Sequence, residues 1–211
     1  MGDTPGRADQ GETVADGERT SEGEDHVGQQ VVPEKHAYDP PMGFHHIALA
    51  TNDLDATHRF YTEAMGFELV KMVVGATPEG GWAKHVFYDT GNGEMIAFWE
   101  IHDDKLGAFP TDHNRSIGLP AWVNHFAFDA GSLEGLEARR TRWQELGHTV
   151  LHIDHGWCQS IYLTDPNGIT VEFCCTTRAF TTDEVSWARE NVAAETLPFE
   201  DAPSATVYEP V

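Results

Sequence analysis

The chain nearly repeats itself, and this repeat constrains its fold more than any other feature. One segment begins at His46 and reads HIALATNDLDATHRFYTEAMGFELV; the other begins at His125 and reads HFAFDAGSLEGLEARRTRWQELGHTV. Each opens with a histidine and an alternating apolar stretch, which is typical of a half-buried strand. Chance rarely reproduces order, spacing and a leading histidine together, so the repeat indicates two modules with the same architecture.

Both copies continue in the same way. After a polar turn, apolar residues recur at three- and four-residue steps and predict a helix. Gly66 and Gly147 stand where such helices commonly end. Further strand candidates follow in each half, around strong turn sequences at 91–93 and 165–168. Each half therefore reads strand, helix, strand, strand, strand, which predicts an α+β fold of two βαβββ modules.

The two ends of the chain differ from the repeat in composition. The N-terminal segment is rich in Gly, Asp, Glu, Thr and Gln, so we expect it to be disordered. Near the C-terminus, Thr181 to Glu184 offers a capping box and predicts a helix from about Thr182, followed by a loose acidic tail after Leu197. The predicted boundaries are a tail at 1–42, a domain at 43–178 with modules 43–102 and 121–178, and a C-terminal helix and acidic tail at 179–211.

The charge balance argues against two classes of partner. The chain carries 35 acidic and 13 basic residues, for a net charge of −22. Such a surface repels phosphate backbones and anionic lipids, so we expect no nucleic acid or membrane partner. No apolar run is long enough to span a bilayer and the N-terminal residues lack the apolar stretch of a secretory signal, so we expect a cytoplasmic location. Two explanations of the acidity stay open, a surface suited to a high-salt cytoplasm and an ordinary acidic cytosolic protein with a charged tail.

The cysteines do not form a recognisable framework. There are three of them, Cys158, Cys174 and Cys175, and the spacing matches neither a zinc site nor a disulfide pattern. We therefore expect buried free thiols in a reducing compartment.

Paired βαβββ modules that each begin with a histidine resemble the vicinal oxygen chelate superfamily, here over residues 44 to about 176. That superfamily includes glyoxalase I, extradiol ring-cleaving dioxygenases, methylmalonyl-CoA epimerase, and fosfomycin- and bleomycin-resistance proteins. The resemblance implies an open-sided β-cup around one divalent metal ion, with ligands on the first and last strands of each module. Carried onto this sequence, it implies His46, His125 and Glu172 as the metal ligands. Two histidines and one carboxylate leave positions open and suit Fe(II).

Simpler interpretations compete at each of these positions. A histidine at a strand start is commonly a surface residue, and Glu172 could be a solvent-facing acid on an apolar strand. A fourth ligand, which glyoxalase I-like members carry on the fourth strand, falls on Phe98 in the segment EMIAFWEI. Glu100, two residues further, could replace it if the register shifts, and is otherwise a solvent-exposed strand end.

The second half resembles extradiol dioxygenases more closely. Those enzymes carry a tyrosine ten residues before the carboxylate ligand and a substrate-contacting histidine upstream, which implies Tyr162 and His155 as catalytic residues here. Tyr162 could instead be a core aromatic residue, and His155 a plain loop histidine. The acid–base histidine of the third-to-fourth-strand turn is missing, and His85 and His102 are candidates to replace it.

Three functions remain open from the sequence. The first is an Fe(II)-dependent dioxygenase acting on a small, vicinally oxygenated, catechol-like substrate. The second is a glyoxalase I-like lyase or an epimerase, and Mn(II), Ni(II), Co(II) and Zn(II) are the alternative metals. The third is a metal-free protein that binds a small molecule such as an antibiotic. The expected partners are a small-molecule substrate and a second copy in a homodimer; whether the site forms within one chain or across that dimer is open.

Overall fold

The computed structural model describes residues 43–211, and the disorder predicted for residues 1–42 lies outside this range. Both halves show the predicted order of strand, helix and three strands, which confirms the α+β fold. A π-helical turn (Phe60–Ala64) continues the first helix. The elements are β1 (His46–Thr51), α1 (Leu54–Arg59), β2 (Glu68–Ala76), β3 (Trp82–Gly91), β4 (Glu94–His102), α2 (His113–Ser116), β5 (His125–Asp129), α3 (Leu133–Glu145), β6 (Val150–Asp154), β7 (Cys158–Thr164), β8 (Thr170–Thr176), α4 (Thr182–Asn191) and β9 (Ser204–Tyr208).

The strands form two sheets in which the four strands of each module have the same order, and the second sheet has β9 in addition. The first sheet has the order β1-β4-β3-β2, and the second has the order β5-β8-β7-β6-β9. In each, the first strand of the module pairs in parallel with the last, and the other pairs are antiparallel. The two strands that carry the sequence repeat, β1 and β5, therefore occupy equivalent edges of the two sheets.

One face of each sheet packs into a single shared core. Tyr61 packs on Phe98 of the first sheet with ring centroids 4.7 Å apart, and Trp143 packs on Phe173 of the second at 5.5 Å. The ring centroid of Phe67 lies 6.1 Å from that of Phe173, so it joins the two groups of aromatic rings. The Trp143 indole N–H also donates a hydrogen bond to the Ala64 carbonyl oxygen at 2.9 Å. The other face of each sheet, which we call its cup face, consequently points away from this core.

A buried polar turn also joins the two modules. The Asp165 carboxylate accepts hydrogen bonds from the backbone N–H groups of Asn167 and Ile169, both at 2.8 Å, and from the Tyr61 hydroxyl at 3.1 Å. The Asn167 amide donates to Thr57 of α1 at 3.1 Å. The turn between β7 and β8 is thereby fixed against the first helix.

The C-terminal segment departs from the sequence prediction in one respect. The capping box at Thr181 and Glu184 begins α4 as predicted. The loose tail predicted after Leu197 is wrong for Ser204–Tyr208, which forms β9 along the edge of β6. Isolated five-residue strands carry little signal in a sequence, and this one is stabilised by tertiary pairing.

Two further predictions can be compared with the described residues. Cys158 and Cys175 are buried, Cys174 is partly buried, and all three thiols are free, as expected. Between residues 43 and 211, no helix is long and apolar enough to cross a membrane.

Candidate metal centre

The second sheet brings two of the three predicted ligands together. In the parallel pair of β5 and β8, His125 lies opposite Thr170, and Glu172 follows two residues later on the same face. The His125 Nε2 atom is 3.1 Å from the Glu172 Oε2 atom. That is a hydrogen-bond distance, and it also matches two donors that share one ion at about 2.1 Å each.

The surroundings of this pair suit metal ligands. His125 Nδ1 lies 3.1 Å from the Trp122 carbonyl oxygen, which favours a proton on Nδ1. The Nε2 atom then keeps its lone pair free to bind a metal ion. Glu172 is only 5% exposed, so the interpretation of a solvent-facing acid is wrong. One imidazole nitrogen and one carboxylate oxygen therefore face the same point on the cup face.

Both candidate catalytic residues lie beside the pair. Tyr162 on β7 is the direct cross-strand neighbour of Glu172. Its hydroxyl is 3.2 Å from His155 Nε2, and its ring centroid is 6.3 Å from that of His125. Burial raises the pKa of Tyr162 to about 12, so at neutral pH the hydroxyl keeps its proton and can donate it in a hydrogen bond.

The structure does not bring His46 to this pair. His46 lies on the cup face of the first sheet, where its ring is 5.5 Å from Phe87 and 6.3 Å from His85, and its Nδ1 is 2.7 Å from that of His45. Residues 43–211 of one chain contain no group of three or more His, Cys, Asp or Glu side chains placed to hold a metal ion. A single chain thus presents two of the predicted ligands on one sheet and the third on the other.

The first sheet has no carboxylate at the place equivalent to Glu172. His46 pairs with Met95, so the residue two further along β4 is Ala97, and the alignment that placed Phe98 there is wrong by one. Phe98 is fully buried in the core. Glu100 pairs with Thr51, on the face opposite His46, and accepts from Lys84 Nζ at 2.7 Å. Glu100 therefore cannot join His46 as a fourth ligand.

His85 and His102, the two candidates to replace the missing acid–base histidine, differ in position. His85 lies on the cup face with His46, stacked 3.7 Å from Trp99, and burial followed by the nearby His46 lowers its pKa. Its buried Nε2 has no hydrogen-bond partner in the part of the chain that the structure describes. His102 stacks on Trp82 and pairs with Glu100, at the far end of the strand.

Each cup face carries its own cavity. The one on the second sheet has a volume of about 690 Å³, and its wall includes His125, Tyr162 and His155. The one on the first sheet has a volume of about 500 Å³ and is lined by residues that include Ala48 and Trp99. Sequence reasoning found the polar residues of the larger cavity but missed its outer wall, where Val207 of β9 lies.

Comparison with known proteins places this arrangement in a family. Residues 43–173 match the Glyoxalase/Bleomycin resistance protein/Dioxygenase superfamily. The chain belongs to this superfamily. Its members include glyoxalases, fosfomycin resistance proteins and dioxygenases, and they generally use a divalent metal ion. Most are enzymes, and some bind antibiotics.

Several solved structures are similar to this chain. A glyoxylase/bleomycin resistance protein/dioxygenase domain from Frankia sp. EAN1pec is 20% identical, with a TM-score of 0.50 over 64% of this chain and 98% of its own. A lactoylglutathione lyase from Agrobacterium tumefaciens is 24% identical, with a TM-score of 0.45 over 64% and 95%. A fosfomycin resistance protein from Listeria monocytogenes is 21% identical, with a TM-score of 0.43 over 68% and 98%. No curated protein matches the chain in sequence.

Proposed function

We propose that this protein is an Fe(II)-dependent dioxygenase that acts on a small, catechol-like substrate. The observation that carries the proposal is the arrangement on the second sheet. A ligand pair, His125 and Glu172, lies 3.1 Å apart beside the hydrogen-bonded Tyr162 and His155, and three of these residues line one cavity of about 690 Å³.

We propose further that His46 of a second copy completes the ligand set. Both cup faces point away from the shared core, so one chain cannot bring its own His46 to its own Glu172 without separating the modules. In a two-fold dimer, the first sheet of one copy can face the second sheet of the other, and the same contact forms twice. Each dimer would then hold two sites, each with two histidines and one carboxylate.

The ligand count favours oxygenase chemistry over proton transfer. Ala97 stands where a fourth ligand would lie, so the proposed set leaves positions for substrate oxygens and a second reactant. A lyase or epimerase also needs a carboxylate to move the substrate proton. Glu100, the sequence candidate for a fourth carboxylate ligand, faces away and pairs with Lys84.

The residues of the chain have separable roles in this proposal. When bound, Fe(II) supplies Lewis acidity that lowers the pKa of a substrate hydroxyl. His125 and Glu172 would hold it together with His46 of a second copy, and the Trp122 carbonyl orients His125. The Tyr162 hydroxyl, protonated at neutral pH, donates a hydrogen bond to the substrate oxygen that gains negative charge, and His155 positions that hydroxyl.

Oxygen consumption tests the proposed activity. The full-length protein is loaded anaerobically with Fe(II), its iron content is measured, and oxygen uptake is followed with a panel of catechols. We expect about one iron per chain and uptake with at least one catechol. The matched control, Glu172→Gln, keeps the shape of the side chain but should bind little iron and consume no oxygen.

A different outcome would redirect the proposal. Iron-loaded protein that consumes no oxygen with any catechol but isomerises a hemithioacetal would contradict the dioxygenase and support the lyase. Full iron content in Glu172→Gln would remove Glu172 from the metal site.

A further inference from the structure

The strand β9 forms an outer wall of the cup on the second sheet. It pairs antiparallel with β6, with Val207 opposite Leu151 and Ala205 opposite Ile153. Leu151 in turn lies opposite Tyr162, so Val207, Leu151, Tyr162 and Glu172 form one row across four strands of the cup face. The row runs from an apolar residue at the edge to the metal ligand in the middle.

Contacts on the opposite face of β9 and at its C-terminal end fix it to the domain. The guanidinium of Arg140 lies 4.1 Å from the centre of the Tyr208 ring, and the Gln144 amide donates to the carbonyl of Glu209. Thr149 donates to the Glu209 carboxylate at 3.0 Å. These contacts hold the strand in register, so the position of Val207 in the wall is determined by packing rather than by a mobile tail.

The cavity has two chemically different ends. One end carries the polar groups of His125, Tyr162 and His155, and the other is walled by Leu151, Ile153 and Val207. Val207 is 59% exposed, and its side chain is wholly apolar. A ligand held at the polar end has an apolar surface within the same cavity for a substituent to contact.

We infer that β9 is a specificity element and that Val207 contacts an apolar substituent on the ring of the substrate, at the side away from the chelating oxygens. This inference rests on the proposed function, since it takes the substrate to be held at His125 and Glu172. The strand lies at 204–208, beyond residues 43–173 that match the superfamily, so the family match does not describe it. The site then prefers an alkyl-substituted catechol to catechol itself.

Two probes of matched chemistry test the preference. Catechol and 4-tert-butylcatechol carry the same chelating oxygens and differ only in the apolar group. Calorimetric titration of the full-length protein loaded with Zn(II), which supports no oxygen chemistry, measures binding alone. Burying a tert-butyl group of about 100 Å² should tighten the dissociation constant by roughly 30-fold in the wild type.

The variant places a charge in the wall, and its control places the same charge on the other face of the strand. Val207→Asp should remove most of the roughly 30-fold gain in affinity of 4-tert-butylcatechol over catechol. Thr206→Asp, one residue away and pointing to the opposite face, should keep the gain. Melting temperatures and sedimentation of both variants establish that the fold and the oligomeric state are intact.

The outcomes separate this inference from the proposed function. Equal affinity for the two catechols, or a gain that survives Val207→Asp, overturns the inference even if iron-loaded protein consumes oxygen. Loss of the dimer in Val207→Asp alone assigns β9 to subunit contact and also overturns it. A third probe, 4-tert-butylphenol, cannot chelate. If 4-tert-butylphenol binds to the wild type but not to Val207→Asp, while catechols are not oxidised, the role of Val207 as an apolar contact is supported and the dioxygenase activity is contradicted.

Discussion

At the scale of single residues, the burial of Glu172 is the most informative feature. A buried carboxylate needs compensation, because removing it from water costs several kcal/mol. Its one ion-pair partner among residues 43–211 is His125, at 3.1 Å. No lysine or arginine of that part of the chain pairs with it, so a bound cation would complete the charge balance.

The Tyr162 hydroxyl should affect turnover more than binding. Tyr162→Phe removes only that oxygen, so the packing of the ring against His125 is retained. A donor that acts on charge developing in the transition state contributes mainly to rate, and we expect kcat for the best catechol to fall by roughly 10²-fold. Steady-state oxygen uptake measures it, with iron content expected to stay at the wild-type level.

Tyr208→Phe is the matched control for this variant. That tyrosine lies on β9, on the face opposite the cavity, so its hydroxyl should be irrelevant to turnover. An unchanged kcat in Tyr162→Phe would make the ring a packing residue and leave His155 as the candidate donor.

Sequence reasoning identified residues of this site where a local pattern sufficed. Glu172 was recognisable as an acid inside an apolar strand at a repeat position. The equivalent place on β4 was missed by one residue, because the pairing of His46 with Met95 puts it at Ala97 and not at Phe98. A slip of one residue exchanges the faces of a whole strand, so it moves Glu100 to the side opposite His46.

At the scale of elements, the Asp165 turn is the feature that joins the modules. Asp165→Ala should leave the Asn167 and Ile169 N–H groups and the Tyr61 hydroxyl without their acceptor. Unsatisfied buried donors cost about 1–3 kcal/mol each, with partial relief from solvent, so we expect the free energy of unfolding to fall by about 3 kcal/mol. Denaturant titration at neutral pH measures this loss.

The pH dependence of stability provides the matched control. Burial, the largest cause, raises the pKa of Asp165, so the fold favours the protonated carboxyl. The stability that comes from this raised pKa is fully present below the pKa that Asp165 has in the unfolded chain. It is lost as the pH rises through the pKa that Asp165 has in the folded protein. Asp165→Asn keeps the shape and one acceptor oxygen, and should lose less stability than Asp165→Ala and remove this pH dependence. Equal losses in both variants would contradict the role of the carboxylate.

Elements that depend on distant partners were the ones the sequence did not reveal. The helices α1, α3 and α4 and the eight repeated strands were predictable, because each carries its own periodicity, cap or turn residues, whereas the four-residue α2 was not predicted. The strand β9 has only five residues within an acidic, proline-containing stretch, and its partners on β6 and α3 lie fifty or more residues earlier. Its existence is decided by packing, which local patterns do not encode.

At the scale of the whole molecule, the two halves pack with their helical sides inward and their cup faces outward. The repeat predicted the two modules, but it did not predict how they face each other, because the same apolar pattern suits either arrangement. The separation of His46 from Glu172 is therefore determined by how the two modules pack against each other. It also makes the proposed site between two copies testable by mixing two defective variants.

His46→Ala and Glu172→Gln should each bind almost no metal as homodimers. When the two variants are co-expressed with different tags and assort at random, about half of the dimers are mixed, and each mixed dimer contains one intact site if the sites cross between copies. Metal content and oxygen uptake should then recover to about a quarter of the wild-type level.

Sites that form within one chain predict a different result. Each chain would carry its own defect, and the purified mixed dimer would bind no more metal than the homodimers. The double variant, with both changes in one chain, serves as the control when it is paired with wild-type chains. That pair should retain no intact site in a crossed dimer and one in an uncrossed dimer, which is the reverse of the result expected for the two single variants.

The methyl group of Ala97 breaks a symmetry that the duplicated chain would otherwise have. Two identical modules meeting about a two-fold axis would offer the ion a pair of histidines and a pair of carboxylates, equivalent on its left and right. In this protein, Ala97 stands in place of one of those two carboxylates. An ion held by the remaining set has distinguishable sides, so the protein itself, and not the ion, would decide which reactant occupies which side.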